Sequence, residues 1–304
     1  MLTRETKTRL AISGVSAVLL TAIVAMQISC SSDNRPKLNG AGGSFPAPLY
    51  QKWCYEYSKD SSRPAVSYQS VGSSAGISQI KAGTVDFAGT DAPLTEEECE
   101  KSGLEQFHMV SGAVVPAVNL PSLGSQAITL DGGVLADIYM GRIERWNDPR
   151  IAALNPGLAL PDLKITVVHR GDGSGTTHIF TTYLTSVSEA WKSGIGAGTL
   201  VKWPCGIAGQ KNPGVCNNVS RIKGAIGYTE YTFSLEAKLQ IALISKDGKT
   251  VKPDEADWPI LGKTYILTRK DAPDEKKAAM KAFFDWCIEH GGETAKSLHY
   301  IPLK

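Results

Sequence analysis

The sequence has no excess of basic residues once its first segment is set aside. The 304-residue chain carries 32 Lys and Arg against 30 Asp and Glu. Residues 1–29 hold three of the basic residues and one of the acidic ones, so the remainder has 29 of each sign and is formally neutral. Because a nucleic-acid-binding domain needs a strongly basic surface, the composition argues against nucleic acid as a partner.

The sequence also lacks the spacings that hold metals and nucleotides. Its 5 His and 6 Cys residues form no Cys-x-x-Cys motif and no paired histidine spacing, so a zinc site is not indicated. The motif Gly-x-x-x-x-Gly-Lys-[Ser/Thr] is absent, which excludes a P-loop protein. Repeats and low-complexity segments are missing as well. We therefore expect a globular protein with no metal and no cofactor.

Residues 1–29 have the pattern of an export signal, with a short basic start, an apolar stretch over residues 10–26 and small residues before Cys30. Residues 27–30 (QISC) resemble a lipoprotein cleavage box, in which the cysteine becomes the lipidated first residue of the mature protein. An uncleaved membrane anchor is the alternative. Both interpretations place the folded part outside the cytoplasm, in the periplasm or at the cell surface, with residues 30–37 as a flexible tether.

Cysteine use fits an exported protein. With Cys30 set aside, the sequence predicts a disulfide between Cys205 and Cys216, which would close the Gly- and Pro-containing segment 206–215. The pairing of the other three cysteines stays open: Cys54, Cys99 and Cys287.

A glycine-spaced turn at residues 170–176 (RGDGSGT) follows the apolar run 165–168 and precedes a helical pattern at residues 179–187. A helix N-terminus offers unpaired N–H groups and a positive dipole end, so this loop is a suitable binding site for an anion. Glycine allows the backbone to approach a ligand because it has no Cβ. Glycine-rich turns also simply end strands, so the alternative remains a plain turn.

The same order of strand, polar turn and helix occurs several times in the first part of the chain. It places Ser44 just before a helix, Ser73 at the start of a second helix and Asp91 at the end of the strand 85–91. Alternating strands and helices indicate an α/β fold, in which ligands collect at the carboxyl ends of the strands. The alternative roles are helix N-caps for the two serines and a turn residue for Asp91. Thr95 and Glu98 predict a capping box.

The apolar run 112–119 predicts a crossing from a first lobe to a second, and the strand predicted around residues 258–268 returns the chain. We expect residues 38–112 plus 258–304 to form lobe 1 and residues 113–257 to form lobe 2. Two crossings make a hinge over a cleft, which is an architecture for enclosing a small ligand.

Four segments together resemble the periplasmic phosphate-binding proteins of bacterial ABC-type phosphate transporters. They are residues 40–48 (GAGGSFPAP), 72–76 (GSSAG), 85–94 (VDFAGTDAPL) and 170–176 (RGDGSGT). The resemblance covers about residues 38–300 and implies a two-lobed, venus-flytrap fold with a mixed sheet flanked by helices in each lobe. It implies a monomeric binding protein, not an enzyme, that delivers inorganic phosphate to an inner-membrane ABC permease. Ser44 departs from the family, which commonly has Thr there.

The resemblance also implies a role for each matching residue. Asp91 accepts a proton of the ligand, Arg170 pairs with the anion, and Asp172 holds the guanidinium of Arg170. The other implied phosphate ligands donate hydroxyl or backbone protons: Ser44, Phe45, Ser73, Ser174, Gly175 and Thr176.

The residue types suit phosphate for physical reasons as well. Two unit charges about 4 Å apart repel by roughly 4 kcal/mol at an effective dielectric near 20, so a carboxylate facing an anion requires a proton between them. Phosphate near neutral pH carries such a proton and sulfate does not, which predicts strong rejection of sulfate. An exported phosphatase, a carrier of another oxyanion and a phosphate sensor are the alternative functions.

Overall fold

The computed structural model describes residues 35–303. The predicted export signal, the predicted lipidation site Cys30 and most of the predicted tether lie outside the described residues. Lys37, the last residue of the predicted tether, begins the first strand. Within residues 35–303, no helix combines the length and the apolar character needed to cross a membrane.

The strands and helices alternate along most of the chain. The strands are β1 (Lys37–Gly42), β2 (Ala65–Ser70), β3 (Phe87–Thr90), β4 (Leu104–Val118), β5 (Thr129–Asp131), β6 (Thr166–Arg170), β7 (Ile207–Gly209), β8 (Ala225–Glu230), β9 (Gln240–Ile241), β10 (Leu243–Lys246), β11 (Lys249–Val251), β12 (Leu261–Arg269) and β13 (Ile301–Pro302). The helices are α1 (Ala47–Ser58), α2 (Ser73–Lys81), α3 (Glu96–Ser102), α4 (Gly132–Tyr139), α5 (Pro149–Leu154), α6 (Gly175–Val187), α7 (Glu189–Gly194), α8 (Lys211–Arg221), α9 (Tyr231–Glu236), α10 (Asp274–His290) and α11 (Gly292–Ser297).

One long sheet path joins two halves of the molecule in the order β2-β1-β3-β12-β4-β8-β6-β7. In the first half β1 pairs in parallel with β2 and β3, and β12 is antiparallel to β3 and β4. In the second half β6 pairs in parallel with β7 and β8. The prediction of an α/β fold with a mixed sheet and flanking helices is confirmed.

Strand β4 runs through both halves. Its residues up to Ala113 pair with β12, and its residues from Val114 onward pair with β8. The segment after Ile260 returns to the first half as β12, and β13 pairs with β4 near Ser111. The first passage between the halves therefore lies within one continuous strand, β4.

Aromatic side chains fill much of the core of the first half. Tyr57 packs edge-on against Phe283, and Phe87 packs edge-on against Phe284, which joins α1 and β3 to α10. Burial of each large apolar side chain contributes about 1.5–3 kcal/mol. This packing fixes α1, whose first residues lead into the site described below.

Several local predictions are confirmed. The helix expected after the glycine turn is α6. Thr95 and Glu98 form the predicted capping box at the start of α3, since the Thr95 hydroxyl accepts from the Glu98 N–H and the Glu98 carboxylate accepts from the Thr95 N–H.

The predicted disulfide between Cys205 and Cys216 is wrong, because both residues are free thiols in the structure. The segment between them is not an open loop, since it contains β7 and the first turn of α8. The Cys205 thiol faces the carbonyl of Tyr139, whereas Cys216 is buried on α8 near Thr229 of β8. Secondary structure, not a covalent link, therefore orders this segment. The other described cysteines are also free thiols: Cys54, Cys99 and Cys287.

Candidate anion-binding site

The site lies where the carboxyl ends of strands from the two halves face each other. β1, β2 and β3 are mutually parallel, and they lead directly to Ser44, Ser73 and Asp91. From the second half, β6 ends at Arg170 and β7 ends just before Lys211. Ligands of open α/β sheets collect at such strand ends. The structure brings the sequence-predicted residues of both halves together here.

Ser73 contacts both halves of the site. Its Oγ accepts hydrogen bonds from the Gly175 N–H at 3.1 Å and from the Asp91 N–H at 3.4 Å. Its hydroxyl donates a hydrogen bond to Asp91 Oδ2 at 3.3 Å. The N-cap of α2 is Gly72, and the cap residue of α1 is Pro46. The alternative that Ser73 and Ser44 are N-caps is therefore wrong.

Asp91 is a buried carboxyl group with an unsatisfied oxygen. It is 2% exposed, and among the described residues its Oδ1 has no hydrogen-bond partner. Burial raises the pKa of Asp91 to about 7, against the opposing effects of the Thr264 hydroxyl, the Arg170 charge and the Ser73 hydroxyl. A buried oxygen without a partner is costly, so this geometry favours a ligand that brings a proton to Asp91.

Arg170 supplies the positive charge of the site and is 1% exposed. Its Nε donates to Asp172 Oδ1 at 2.8 Å, its Nη2 donates to Asp172 Oδ2 at 2.5 Å, and its Nη1 donates to Thr176 Oγ1 at 3.4 Å. These bonds use three of the five guanidinium N–H donors. The remaining two are not bonded to any described residue, so a charge-assisted bond to an anion is available.

Asp172 orients Arg170. Partial burial acts to raise the pKa of Asp172, but the hydrogen bonds and charge of Arg170, together with the Lys211 N–H, outweigh it and hold that pKa below its ordinary value. The Lys211 N–H donates to Asp172 Oδ1 at 2.9 Å. Asp172 therefore stays ionised at neutral pH and holds the guanidinium in one orientation.

Helix α6 directs its N-terminus at the site. Ser174 is its N-cap, and Ser174 Oγ accepts from the Thr177 N–H at 3.0 Å. Gly175 and Thr176 form the first turn and are buried. The dipole of this 13-residue helix favours a negative charge beside Asp91 and Ser73.

Phe45 lies at the start of the segment that leads into α1. Its side chain is fully buried and packs edge-on against Tyr300. Its carbonyl accepts a hydrogen bond from the Tyr300 hydroxyl at 2.7 Å. The backbone of Phe45 is therefore held in place on its carbonyl side, which leaves its N–H as the group with a predicted binding role.

The halves are in direct contact across the site. The Ser74 N–H donates to the Gly173 carbonyl at 3.3 Å, and Lys211 Nζ donates to the Ser70 carbonyl at 2.7 Å. A Cβ on Gly175 would lie 2.5 Å from the Cβ of Asp91. Glycine at this position is therefore a condition for the closed arrangement.

Three residues of the site were not predicted from the sequence. Thr264 of β12 is buried and acts on Asp91, and its hydroxyl lies 3.3 Å from that of Tyr50. The Tyr228 hydroxyl accepts from the Arg170 N–H at 3.0 Å. Asn212, the second residue of α8, donates its N–H to Ser44 Oγ at 3.3 Å. None of the three lies in the four segments that resemble the phosphate-binding proteins, and the sequence around Asn212 (GQKNPG) carries no chemical signal of its own.

The chemistry of this cluster is recognition. It presents hydroxyl and N–H donors, one arginine and one unsatisfied carboxyl oxygen around a small volume. Across residues 35–303, no group of three or more His, Cys, Asp or Glu side chains is placed to hold a metal ion. The donor set matches a small tetrahedral oxyanion that carries a proton.

Comparison with known proteins identifies the family of the chain. The family model for the PBP superfamily domain matches residues 29–290. The phosphate-binding protein PstS of Xylella fastidiosa strain Temecula1 is 42% identical over 298 residues, covering 88% of this chain and 81% of that protein. The protein of the same name from Pasteurella multocida is 42% identical over 297 residues, covering 88% of this chain and 86% of that protein.

Solved structures show the same fold. A putative phosphate ABC transporter substrate-binding protein from Clostridium perfringens, solved with bound phosphate, aligns with a TM-score of 0.69 at 19% identity, covering 88% of this chain and 100% of that one. This likeness confirms the predicted two-lobed periplasmic-binding-protein fold. Together with the family model and the curated relatives, it shows that the chain belongs to the PBP superfamily and, within it, to the phosphate-binding protein family PstS.

Proposed function

We propose that this protein binds inorganic phosphate between its two lobes and delivers it, outside the cytoplasm, to an ABC permease. The observation that carries the proposal is the buried, unsatisfied Oδ1 of Asp91, which lies within a cluster of donors and close to Arg170. The curated relatives are named as phosphate-binding proteins. The proposed binding role replaces the alternative function of an exported phosphatase.

Each residue of the cluster has a proposed role. Arg170, oriented by Asp172, pairs with the anion, and Asp91 shares a proton with it. The remaining donors satisfy the other phosphate oxygens through hydroxyl or N–H groups: Ser44, Phe45, Ser73, Ser174, Gly175 and Thr176. Hydrogen bonds to charged groups contribute roughly 1.5–3 kcal/mol each, so several of them hold a desolvated anion with a single arginine.

Asp91 gives the proposed site its selectivity. With a pKa of about 7, the carboxyl group and a phosphate ion share a proton near neutral pH, so one oxygen pair forms a hydrogen bond instead of repelling. Sulfate has no proton to share at this pH. A polar site that loses such a bond rejects the wrong ligand by factors of about 10⁴–10⁵.

The titration of purified protein with phosphate, arsenate, sulfate and molybdate tests this function. We expect calorimetry at pH 7 to show tight phosphate binding at one site and no sulfate binding. Comparable affinity for phosphate and sulfate, or no phosphate binding, would reject the proposal. A chromogenic phosphate ester serves as the control for enzymatic turnover, which we expect to be absent.

We further propose that residues 38–112 plus 258–304 form one lobe and residues 113–257 the other. The change of partner strand along β4 supports this division.

We propose a monomeric protein that is exported by residues 1–29 and lipid-anchored at Cys30. Mass spectrometry of the mature protein is expected to find an acylated Cys30 at its N-terminus, and an intact residue 1–29 segment would contradict the anchor.

A further inference from the structure

Neighbouring N–H donors determine the direction in which the hydroxyl groups of the site point their protons. A serine or threonine hydroxyl has one proton to donate and two lone pairs that accept. Its proton is directed to a ligand only when protein N–H groups occupy the lone pairs. Ser73 shows the lone-pair part of this pattern, because its Oγ accepts from the N–H groups of Gly175 and Asp91 and its proton is donated to Asp91 Oδ2.

Asn212 supplies the corresponding donors to two further hydroxyls, one from each half. It is 0% exposed and lies at the start of α8. Its backbone N–H donates to Ser44 Oγ at 3.3 Å, and its Nδ2 donates to Thr176 Oγ1 at 3.4 Å. Arg170 Nη1 also donates to Thr176 Oγ1. Both lone pairs of Thr176 are therefore occupied.

The orientation of the Asn212 amide is determined by its third contact. Its Oδ1 accepts from the Glu230 N–H at 3.3 Å. A backbone N–H can only donate, so the amide oxygen must face Glu230 and the amide nitrogen must face Thr176. Glu230 is itself held in place, since its carboxylate accepts from the Thr232 N–H at 2.9 Å at the start of α9.

We propose that Asn212 is a positioning residue that turns the Thr176 and Ser44 hydroxyl protons toward the bound anion. It acts on Thr176 through its side chain and on Ser44 through its backbone. The inference rests on the proposed function, because the anion is the acceptor of both protons. It assigns to Asn212 a role in affinity without direct contact with the ligand.

A double-mutant cycle tests the side-chain part of this inference. Phosphate dissociation constants are measured by calorimetry for the wild type, Asn212→Leu, Thr176→Val and the double variant. We expect Asn212→Leu to weaken binding about tenfold to hundredfold in the wild-type background. In the Thr176→Val background the hydroxyl is gone, so the same substitution is expected to weaken binding by less than about threefold.

Asn217→Leu, an exposed change on the same helix, is the matched control and is expected to leave phosphate affinity unchanged. An equal loss from Asn212→Leu in both backgrounds would overturn the inference, because the residue would then not act through Thr176. If Asn212→Leu does not fold, Asn212→Ala replaces it in the same cycle. Failure of the wild type to bind phosphate would reject the proposed function instead.

Discussion

The carboxyl group of Asp91 is held where it is poorly solvated. Its burial raises its pKa to about 7 from an ordinary value of 3.8. Such a group destabilises the folded, ligand-free protein when it is ionised, because the unfolded chain ionises it more easily. The proposed ligand explains why Asp91 is retained in the core, because it supplies a proton and gives the unsatisfied oxygen of Asp91 a hydrogen-bond partner.

We predict that Asp91→Asn stabilises the ligand-free protein at high pH. Below about pH 4 Asp91 is protonated in both states, so its raised pKa costs nothing. Between about pH 4 and pH 7 the unfolded chain ionises Asp91 and the folded protein does not, so the wild type loses stability, by about 4 kcal/mol in all once the pH is above 7. We expect Asp91→Asn to raise the Tm at pH 8 by roughly 5–10 °C and to change it little at pH 4.

Thermal unfolding of phosphate-free protein at both pH values measures this effect. Asp247→Asn, in an exposed turn, is the control and is expected to leave the pH profile unchanged. A Tm difference between Asp91→Asn and the wild type that is the same at pH 4 and pH 8 would contradict the raised pKa.

At the scale of elements, the helix N-terminus of α6 and the turn before it form the binding surface of the second half. Gly175 allows the first turn of α6 to come within contact distance of Asp91 and Ser73. This contact joins the two halves, so it exists only in the closed arrangement. A side chain at residue 175 is therefore expected to affect closure more than folding.

We predict that Gly175→Ala weakens phosphate binding by more than a hundredfold, an order-of-magnitude figure for a steric conflict of a few kcal/mol. The new Cβ would lie 2.5 Å from the Asp91 Cβ and 2.7 Å from Ser73 Oγ. Gly292→Ala, at the first residue of α11 with no neighbouring atom within 4 Å, is the matched control. Calorimetry with phosphate should separate the two variants, and equal affinities would show that the halves need not approach this closely.

Local patterns in the sequence identify most of these elements. The turn at residues 170–176, helix α6 and the capping box of α3 follow from glycine spacing, apolar periodicity and side-chain chemistry. The same reasoning failed at Cys205 and Cys216, because spacing alone does not reveal that a strand and a helix turn occupy the intervening segment. It also left open helix N-cap roles for Ser44 and Ser73, which Pro46 and Gly72 take in the structure.

At the scale of the whole molecule, binding depends on contacts between residues that are far apart in the chain. Asn212, Thr264 and Tyr228 approach the site only because β7, β12 and β8 are arranged in one sheet path. Their types carry no local signal, so sequence reasoning had no means to select them. Sequence reasoning could select four other site residues, because each of them follows or ends a strand in a recognisable turn: Ser44, Ser73, Asp91 and Arg170.

We predict that Lys211→Met accelerates phosphate release. Lys211 Nζ donates to the Ser70 carbonyl at 2.7 Å and so connects the two halves beside the site. The loss of one charge-assisted bond is expected to raise the dissociation rate by about fivefold to thirtyfold, with a smaller change in the association rate. Stopped-flow displacement measures both rates, and Lys223→Met, at an exposed position, is the control. An unchanged dissociation rate would show that this contact does not hold the closed state.

The most direct test of the account is the ratio of phosphate to sulfate affinity in the wild type and in Asp91→Asn, measured by calorimetry at pH 7. We expect the wild type to prefer phosphate by at least about 10⁴. An asparagine amide donates to any oxyanion, so the variant is expected to bind phosphate more weakly, to bind sulfate measurably and to reduce the ratio to about 10² or less. An unchanged ratio would contradict the claim that Asp91 selects phosphate through a shared proton.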